Sequence, residues 1–166
     1  MLGFLFRGLT AEPAHGAPLF DALVREARKP YWYRAGQIPD TLDGRFAVLA
    51  TVTAITIARL EREGAPGETA SIALTERFIE VMESEHRELG LGDPTLGKTV
   101  RKLVSLLGKR TELWRETNDL CEATRESLYK SEVLGSALGS SSDALGDLRA
   151  RIGGTTIDRL MKGEIG

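Results

Sequence analysis

The sequence predicts an all-α fold, a compact single-domain helical bundle of about five to seven helices. Its 166 residues, 42% of them hydrophobic and 28% charged, have the size and composition of one globular domain. Apolar residues recur at intervals of three and four along most of the chain, which is the helical period. No sustained alternation of apolar and polar residues predicts a strand.

The chain begins with a segment that has no periodic pattern. Residues 1–17 contain scattered proline and glycine, and we predict that they are flexible. An apolar stripe then predicts a short amphipathic helix over residues 19–28, which Pro30 ends. After this helix, Tyr31, Trp32 and Tyr33 form a short segment that we call the aromatic turn.

The second helix is the most strongly patterned element. We expect Asp40 to cap it, with Asp43 adding a carboxylate to its first turn. Two neighbouring apolar stripes run from Leu42 to Leu60, and a helix that is apolar on two faces must be covered on both. The pattern therefore predicts a central, buried helix.

The remaining helices are separated by glycine and proline. Glycines and a proline over 64–67 predict a connection, after which a third helix begins near Ile72. A fourth helix opens with Asp93 as the N-cap and Pro94 at its first position. We expect Gly108 to interrupt or end it.

The last third of the chain is less regular. One or two further helices are predicted up to about Leu134, which completes a helical domain over 18–134. Residues 135–146 are rich in glycine and serine, a composition typical of a flexible loop. A short C-terminal helix is predicted within 147–166.

Composition limits the class and the location of the protein. The net charge is −2 and Cys121 is the single cysteine, so an intramolecular disulfide and a cysteine-rich metal site are excluded. The longest uncharged apolar run, residues 46–58, is too short to span a bilayer. We predict a cytoplasmic protein, with peripheral contact to the inner membrane as an alternative. An apolar N-terminal turn, Leu2, Phe4, Leu5 and Phe6, could touch a membrane surface or cover the core.

Two motifs invite a chemical interpretation. Residues 92–99 match the phosphate-loop pattern Gly-x-x-x-x-Gly-Lys-Thr, but that loop needs a preceding strand, and a helix is predicted there instead. Glu83 with His86, and Glu12 with His15, have the Glu-x-x-His spacing of di-iron bundles. We favour a partly buried, hydrogen-bonded His86 and predict no metal, no cofactor and no catalytic residue.

Charge is distributed unevenly along the chain. Residues 61–93 contain nine acids and three bases, whereas residues 94–111 contain five bases and no acid. A second basic group, Arg25, Arg28, Lys29 and Arg34, surrounds the aromatic turn. These groups raise the alternative hypothesis of an RNA- or ribosome-binding helical module. We expect no DNA partner.

Several blocks of sequence together resemble the ubiquinol-cytochrome c chaperone family. They are Lys-Pro-Tyr-Trp-Tyr at 29–33, Ile-Pro-Asp-Thr-Leu-Asp-Gly-Arg-Phe at 38–46 and Arg-Glu-Leu-Gly-Leu-Gly-Asp at 87–93. Arg59-Leu60, Gly97-Lys98 and Arg101-Lys102 also match in order and spacing. The resemblance covers roughly residues 19–110 well and is weaker beyond them.

The resemblance implies a function without catalysis. Members of this family act as assembly factors that hold newly made cytochrome b for the cytochrome bc1 complex, so the expected client is cytochrome b. A ribosome or a small partner protein is a further expected contact. Candidate client or partner contacts are Tyr31, Trp32, Tyr33, Arg45, Arg87, Lys98, Arg101, Lys102 and Arg110. For Arg45, Arg87 and Glu88 the alternatives are an internal ion-pair network and a client contact, and we favour the network slightly.

Overall fold

The structure is a computed structural model that describes residues 15–166. These residues form helices and contain no strand, which confirms the predicted all-α class. The expectations for the apolar N-terminal turn, for Glu12 and for most of the segment 1–17 lie outside the described residues.

Eight α-helices occur in the described part of the chain, and six of them have nine residues or more. A single 3₁₀ turn, Glu61–Glu63, separates the third from the fourth. In chain order the helices are α1 Ala17–Ala27, α2 Tyr31–Arg34, α3 Leu42–Leu60, α4 Gly64–Glu88, α5 Asp93–Glu116, α6 Leu120–Leu128, α7 Gly135–Gly153 and α8 Ile157–Met161.

Helix α3 is the centre of the bundle. Residues 50–58 are buried without exception, and α1, α4, α5, α6 and α7 all pack against this helix, α5 most extensively. Two buried threonines satisfy their hydroxyls on the preceding turn: Thr51 Oγ1 donates to the Ala47 carbonyl at 2.7 Å and Thr56 Oγ1 to the Val52 carbonyl at 2.8 Å. The predicted central helix is confirmed.

The caps of two helices differ by one residue from the prediction. Thr41, not Asp40, caps α3, and its Oγ1 accepts a hydrogen bond from the Gly44 amide at 3.2 Å. Gly92, not Asp93, is the N-cap of α5 and offers no side chain. In both cases an acid lies one position from the cap, and sequence alone does not set where the backbone leaves the extended region.

Two glycine-containing segments predicted to break helices lie inside them. The predicted connection at 64–67 is the first turn of α4, because Gly64 adopts a positive φ of 67° that turns the chain, and Pro66 needs no hydrogen-bond donor in a first turn. Gly108 also continues α5, which runs on to Glu116. The cost of one interior glycine, about 1 kcal/mol, is smaller than the packing gained by the residues on either side.

The largest correction concerns residues 135–146, which form the first part of α7 and not a flexible loop. The apolar side chains of α7 are buried in the core, and its small residues allow close packing. A Cβ added to Gly36 would lie only 2.6 Å from Ser141 Oγ, so the two backbones are in close contact. The buried apolar residues are Ala137, Leu138, Leu145, Leu148 and Ile152.

A hydroxyl joins α7 to the connection between α2 and α3. Tyr129 Oη lies 2.7 Å from the Gly36 carbonyl oxygen and 2.7 Å from Ser141 Oγ. Burial raises the pKa of this phenol, which keeps it protonated and able to donate. Two segments more than ninety residues apart are thereby fixed to each other.

A substitution at Gly44 tests the close approach of this residue to the Pro39 carbonyl at the start of α3. A Cβ at this position would lie 1.9 Å from the Pro39 carbonyl oxygen, so Gly44→Ala must displace the turn before the helix. We expect it to lower the free energy of unfolding by about 2 kcal/mol, measured by urea denaturation. Gly108→Ala is the matched control, since nothing lies within 4 Å of its added Cβ; it should stabilise the protein by about 1 kcal/mol. Equal effects of the two substitutions would contradict this packing.

Tyr129→Phe removes the hydroxyl that connects α7 to the α2–α3 connection. It leaves the Gly36 carbonyl and Ser141 Oγ without this partner, and we expect a loss of about 1–3 kcal/mol in the free energy of unfolding. Tyr31→Phe is the control, because the Tyr31 hydroxyl donates to Ser140 in an exposed setting, and its loss should cost less than about 1 kcal/mol. A smaller effect of Tyr129→Phe than of Tyr31→Phe would refute the proposed role.

Candidate functional site

The three aromatic residues predicted as contacts have different environments. Trp32 is only 1% exposed, and its Nε1 donates to the Glu26 carbonyl at 2.9 Å. Tyr33 is half-buried, and its hydroxyl donates to the Ala27 carbonyl at 2.9 Å. These two side chains satisfy carbonyls at the end of α1. Of the three, Tyr31 is the one with a substantial exposed surface, at 40%.

Tyr31 belongs to an exposed apolar group at one end of the bundle, which we call the apolar end: Tyr31, Leu42 and Leu134. Leu42 is 69% exposed and Leu134 is 63% exposed. Two contacts place them in one region. The Tyr31 hydroxyl donates to the Ser140 carbonyl of α7, whose N-cap is Leu134. Lys130, four residues before Leu134, pairs with Asp43, which is next to Leu42.

Ion pairs adjoin the apolar end. Lys130 Nζ lies 2.8 Å from an Asp43 carboxylate oxygen, and Arg45 Nε lies 2.7 Å from one of Asp40. The hydrogen bond and charge of Lys130 hold the pKa of Asp43 below its usual value, and Lys102 lowers it further. The hydrogen bond from Arg45 does the same to the pKa of Asp40. All four side chains are exposed, so the pairs contribute little stability but give this region a defined charge pattern.

The cations of α5 form a second surface, which we call the basic strip: Lys98, Arg101, Lys102 and Lys109. All four are exposed. Within residues 15–166, none of them lies within ion-pair distance of a carboxylate. The opposite side of α5 is buried in the core.

Arg110, a further predicted contact on α5, is partly buried between α5 and the end of α6. Its guanidinium donates to the Ser127 carbonyl at 2.8 Å and to the Leu106 carbonyl at 3.2 Å, and it lies 6.0 Å from the centre of the Phe46 ring. Burial lowers the pKa of this side chain. Arg110 therefore joins α5 to the end of α6 and offers little charge to a partner.

The expected network of Arg45, Arg87 and Glu88 does not form. Arg45 pairs with Asp40, five residues before it, and neither Arg87 nor Glu88 takes part in an ion pair with another described residue. Both are exposed at the end of α4. The prediction was wrong because the nearest acid to Arg45 is in its own segment.

The motifs with chemical interpretations are structural in this fold. Gly97, Lys98 and Thr99 lie inside α5, and the helix α4 precedes them where a phosphate loop would require a strand. His86 is partly buried, with Nδ1 2.8 Å from the Met82 carbonyl oxygen, as predicted. No three histidine, cysteine or acidic side chains in residues 15–166 are grouped to hold a metal ion.

An open cleft of about 310 Å³ lies at the other end of α3. Its walls include residues 153–158, and the Arg59–Glu63 ion pair at 2.6 Å occupies one side. Arg59 also donates to the Thr155 carbonyl, so its charge is already engaged.

None of the helices in the described ranges is both long and apolar enough to cross a bilayer.

The described residues thus form an all-α bundle with an exposed apolar end and exposed cations along α5. Residues 34–140 match the family model described as ubiquinol-cytochrome C chaperone. This match spans more than half of the chain, and the chain belongs to that family.

Comparison of structures agrees with this assignment at the level of the fold. The crystal structure of the Cbp3 homolog from Brucella abortus superimposes with a TM-score of 0.74 and 23% sequence identity, covering 100% of this chain and 96% of that one. No curated protein sequence matches this chain at a significant level. The matched segment of the family model contains Leu42, Leu134 and the entire basic strip.

Sequence reasoning did not identify Leu42 and Leu134 as surface residues. Leu42 continues the apolar stripe of α3, and only its place in the first turn leaves it uncovered. Leu134 is the last apolar residue before a glycine-rich segment that was interpreted as a loop. Both residues lie at the very start of a helix, Leu42 as the first residue of α3 and Leu134 as the N-cap of α7. An apolar residue at such a position is the sequence signal that could have identified both.

Lys130→Gln tests the electrostatics beside the apolar end. Without the ammonium group, the pKa of the Asp43 carboxyl should rise toward its ordinary value, measured by NMR titration of the side-chain carboxyl. Because folding lowers this pKa, the ion pair stabilises the fold at neutral pH, and its contribution disappears as the pH falls through the folded-state value. Arg125→Gln, which breaks a separate exposed pair with Glu122, is the control. An Asp43 pKa unchanged in Lys130→Gln would show that the pair does not form in solution.

Proposed function

We propose that this protein is an assembly chaperone of the cytochrome bc1 complex that binds newly made cytochrome b and changes no covalent bond. The family match over residues 34–140 carries the proposal, and the fold shared with the Brucella abortus Cbp3 homolog supports it. The apolar end is the surface that we assign to the client.

The chemistry of the apolar end suits this role. A segment of a membrane protein that has not yet reached the bilayer exposes apolar side chains to water, and covering them is favourable. Tyr31, Leu42 and Leu134 supply exposed apolar area in this region. The exposed pairs of Asp43 and Asp40 provide polar groups beside it, an arrangement that favours one orientation of a bound segment.

A second candidate function, RNA or ribosome binding, stays a prediction. The observation that favours it is the basic strip, which is exposed and has no acidic neighbour between Pro94 and Thr111. A phosphate-binding surface of this kind would lose affinity steeply as the salt concentration rises. A small partner protein remains a further prediction of the family resemblance.

The client proposal is tested by site-specific photocrosslinking in the native cell. A photoreactive amino acid at Leu42 or Leu134 should crosslink to cytochrome b during its synthesis, and the double variant Leu42→Glu, Leu134→Glu should reduce the amount of assembled bc1 complex. We expect a reduction of about tenfold or more, since two central apolar contacts are each worth about 1–2 kcal/mol.

Ile72→Glu is the matched control, because Ile72 is 44% exposed on the early part of α4. This part of α4 adjoins the start of α1, near Gly16, whereas Tyr31 follows the end of that helix. The control should leave assembly unchanged. Crosslinks to other proteins only, or an equal loss with Ile72→Glu, would refute the assignment of the client to the apolar end.

A further inference from the structure

We propose that the basic strip docks this protein on the surface of an anionic lipid bilayer. The strip is a separate surface from the apolar end, and the proposal does not depend on which client the apolar end binds. It rests on the arrangement of the four cations, on their lack of carboxylate partners, and on the shape of the element that presents them.

The helical period places the four cations on one face of α5. At 100° per residue, Lys98, Arg101, Lys102 and Lys109 fall within an arc of about 100°. At 1.5 Å per residue the strip is about 16 Å long. Ser105, the residue between Lys102 and Lys109 on this face, is also exposed. Three of the four cations therefore lie within about one turn of α5, and Lys109 lies about 10 Å further along the same face.

The core side of α5 fixes the direction in which the strip faces. Leu96, Val100 and Leu107 are buried, and on the helical wheel they lie opposite the cations. Because α5 packs along the central helix α3, it cannot rotate about its own axis. The strip faces solvent permanently and needs no conformational change to meet a flat partner.

The four cations also lack the carboxylate partners that about half of the other described cations have. Lys29, Lys130 and several arginines pair with carboxylates within 4.0 Å, whereas the four cations of the strip do not pair with any described residue. No acid lies between Pro94 and Thr111. With a net charge of only −2 for the whole chain, a local row of this kind is what an anionic surface would attract.

A bilayer fits this row better than a single-stranded nucleic acid does. Proteins that hold single-stranded RNA stack its bases on exposed aromatic side chains, and the outward face of α5 from Lys98 to Lys109 has none. A row of lysine and arginine on a rigid, exposed helix instead matches a plane of lipid phosphates, which requires charge but no base contacts.

Docking in this way would also orient the apolar end. Helix α5, which carries the strip, packs along α3, and α3 begins at Leu42. A protein bound through the strip would therefore hold Leu42 in a fixed orientation relative to the lipid surface.

Vesicle co-sedimentation of the full chain tests the proposal, with vesicles of phosphatidylcholine alone and of phosphatidylcholine with phosphatidylglycerol. We expect binding to the anionic vesicles only, weakening as salt is added. The variant Lys98→Gln, Arg101→Gln, Lys102→Gln, Lys109→Gln should bind at least about a hundredfold more weakly, since each cation at an anionic surface contributes about fivefold. The four side chains are exposed, and circular dichroism verifies that the variant folds.

The control removes the same number of charges elsewhere: Arg25→Gln, Arg28→Gln, Arg34→Gln, Lys162→Gln, all at exposed positions. This variant should retain vesicle binding. Binding of a labelled single-stranded RNA is measured in parallel for both variants. The proposal is overturned if anionic vesicles do not bind, if both variants lose binding equally, or if the strip variant loses RNA binding and keeps vesicle binding.

Discussion

The structure depends on the burial of one helix around its whole circumference. The middle of α3, residues 50–58, has no solvent-facing side, so the helix is stable only when other helices enclose it. Five helices supply that enclosure, and the hydroxyls of Thr51 and Thr56 are satisfied within α3 itself. Both exposed surfaces follow from this arrangement. The apolar end lies where the enclosing layer stops, and the basic strip is the outer side of the helix that covers α3 most extensively.

Those parts of the fold that depend on strong local periodicity were predictable. The stripes of α1 and α3 place their apolar residues on the buried side, and α5 shows the same agreement. Residues 135–146 were not predictable from composition, because small polar residues are equally suited to a loop and to a helix that packs closely against another backbone. The contact between Ser141 and Gly36 joins two distant segments, and nothing in either local sequence indicates it.

The candidate site also has a part that was predictable from the sequence and a part that was not. The cations at Lys98 and Lys109 were predictable as a surface, because a run of bases without acids has no local means of neutralisation. The burial of Trp32 was not predictable, because an aromatic residue among cations fits both an exposed anchor and a buried anchor. The Trp32 side chain is held in the core by a hydrogen bond to the Glu26 carbonyl. This acceptor is a main-chain atom at a helix end, and its position is known only from the fold.

The apolar end is assembled from two stretches of chain that are made far apart in time. Tyr31 and Leu42 emerge early in translation, whereas Tyr129 and Leu134, which complete the region, follow about ninety residues later. A nascent chain that stops before α6 lacks both the Tyr129 contact to Gly36 and Leu134, the third member of the apolar end. The apolar end is therefore completed only late in synthesis, and a chain truncated before Leu134 would present only Tyr31 and Leu42 of it.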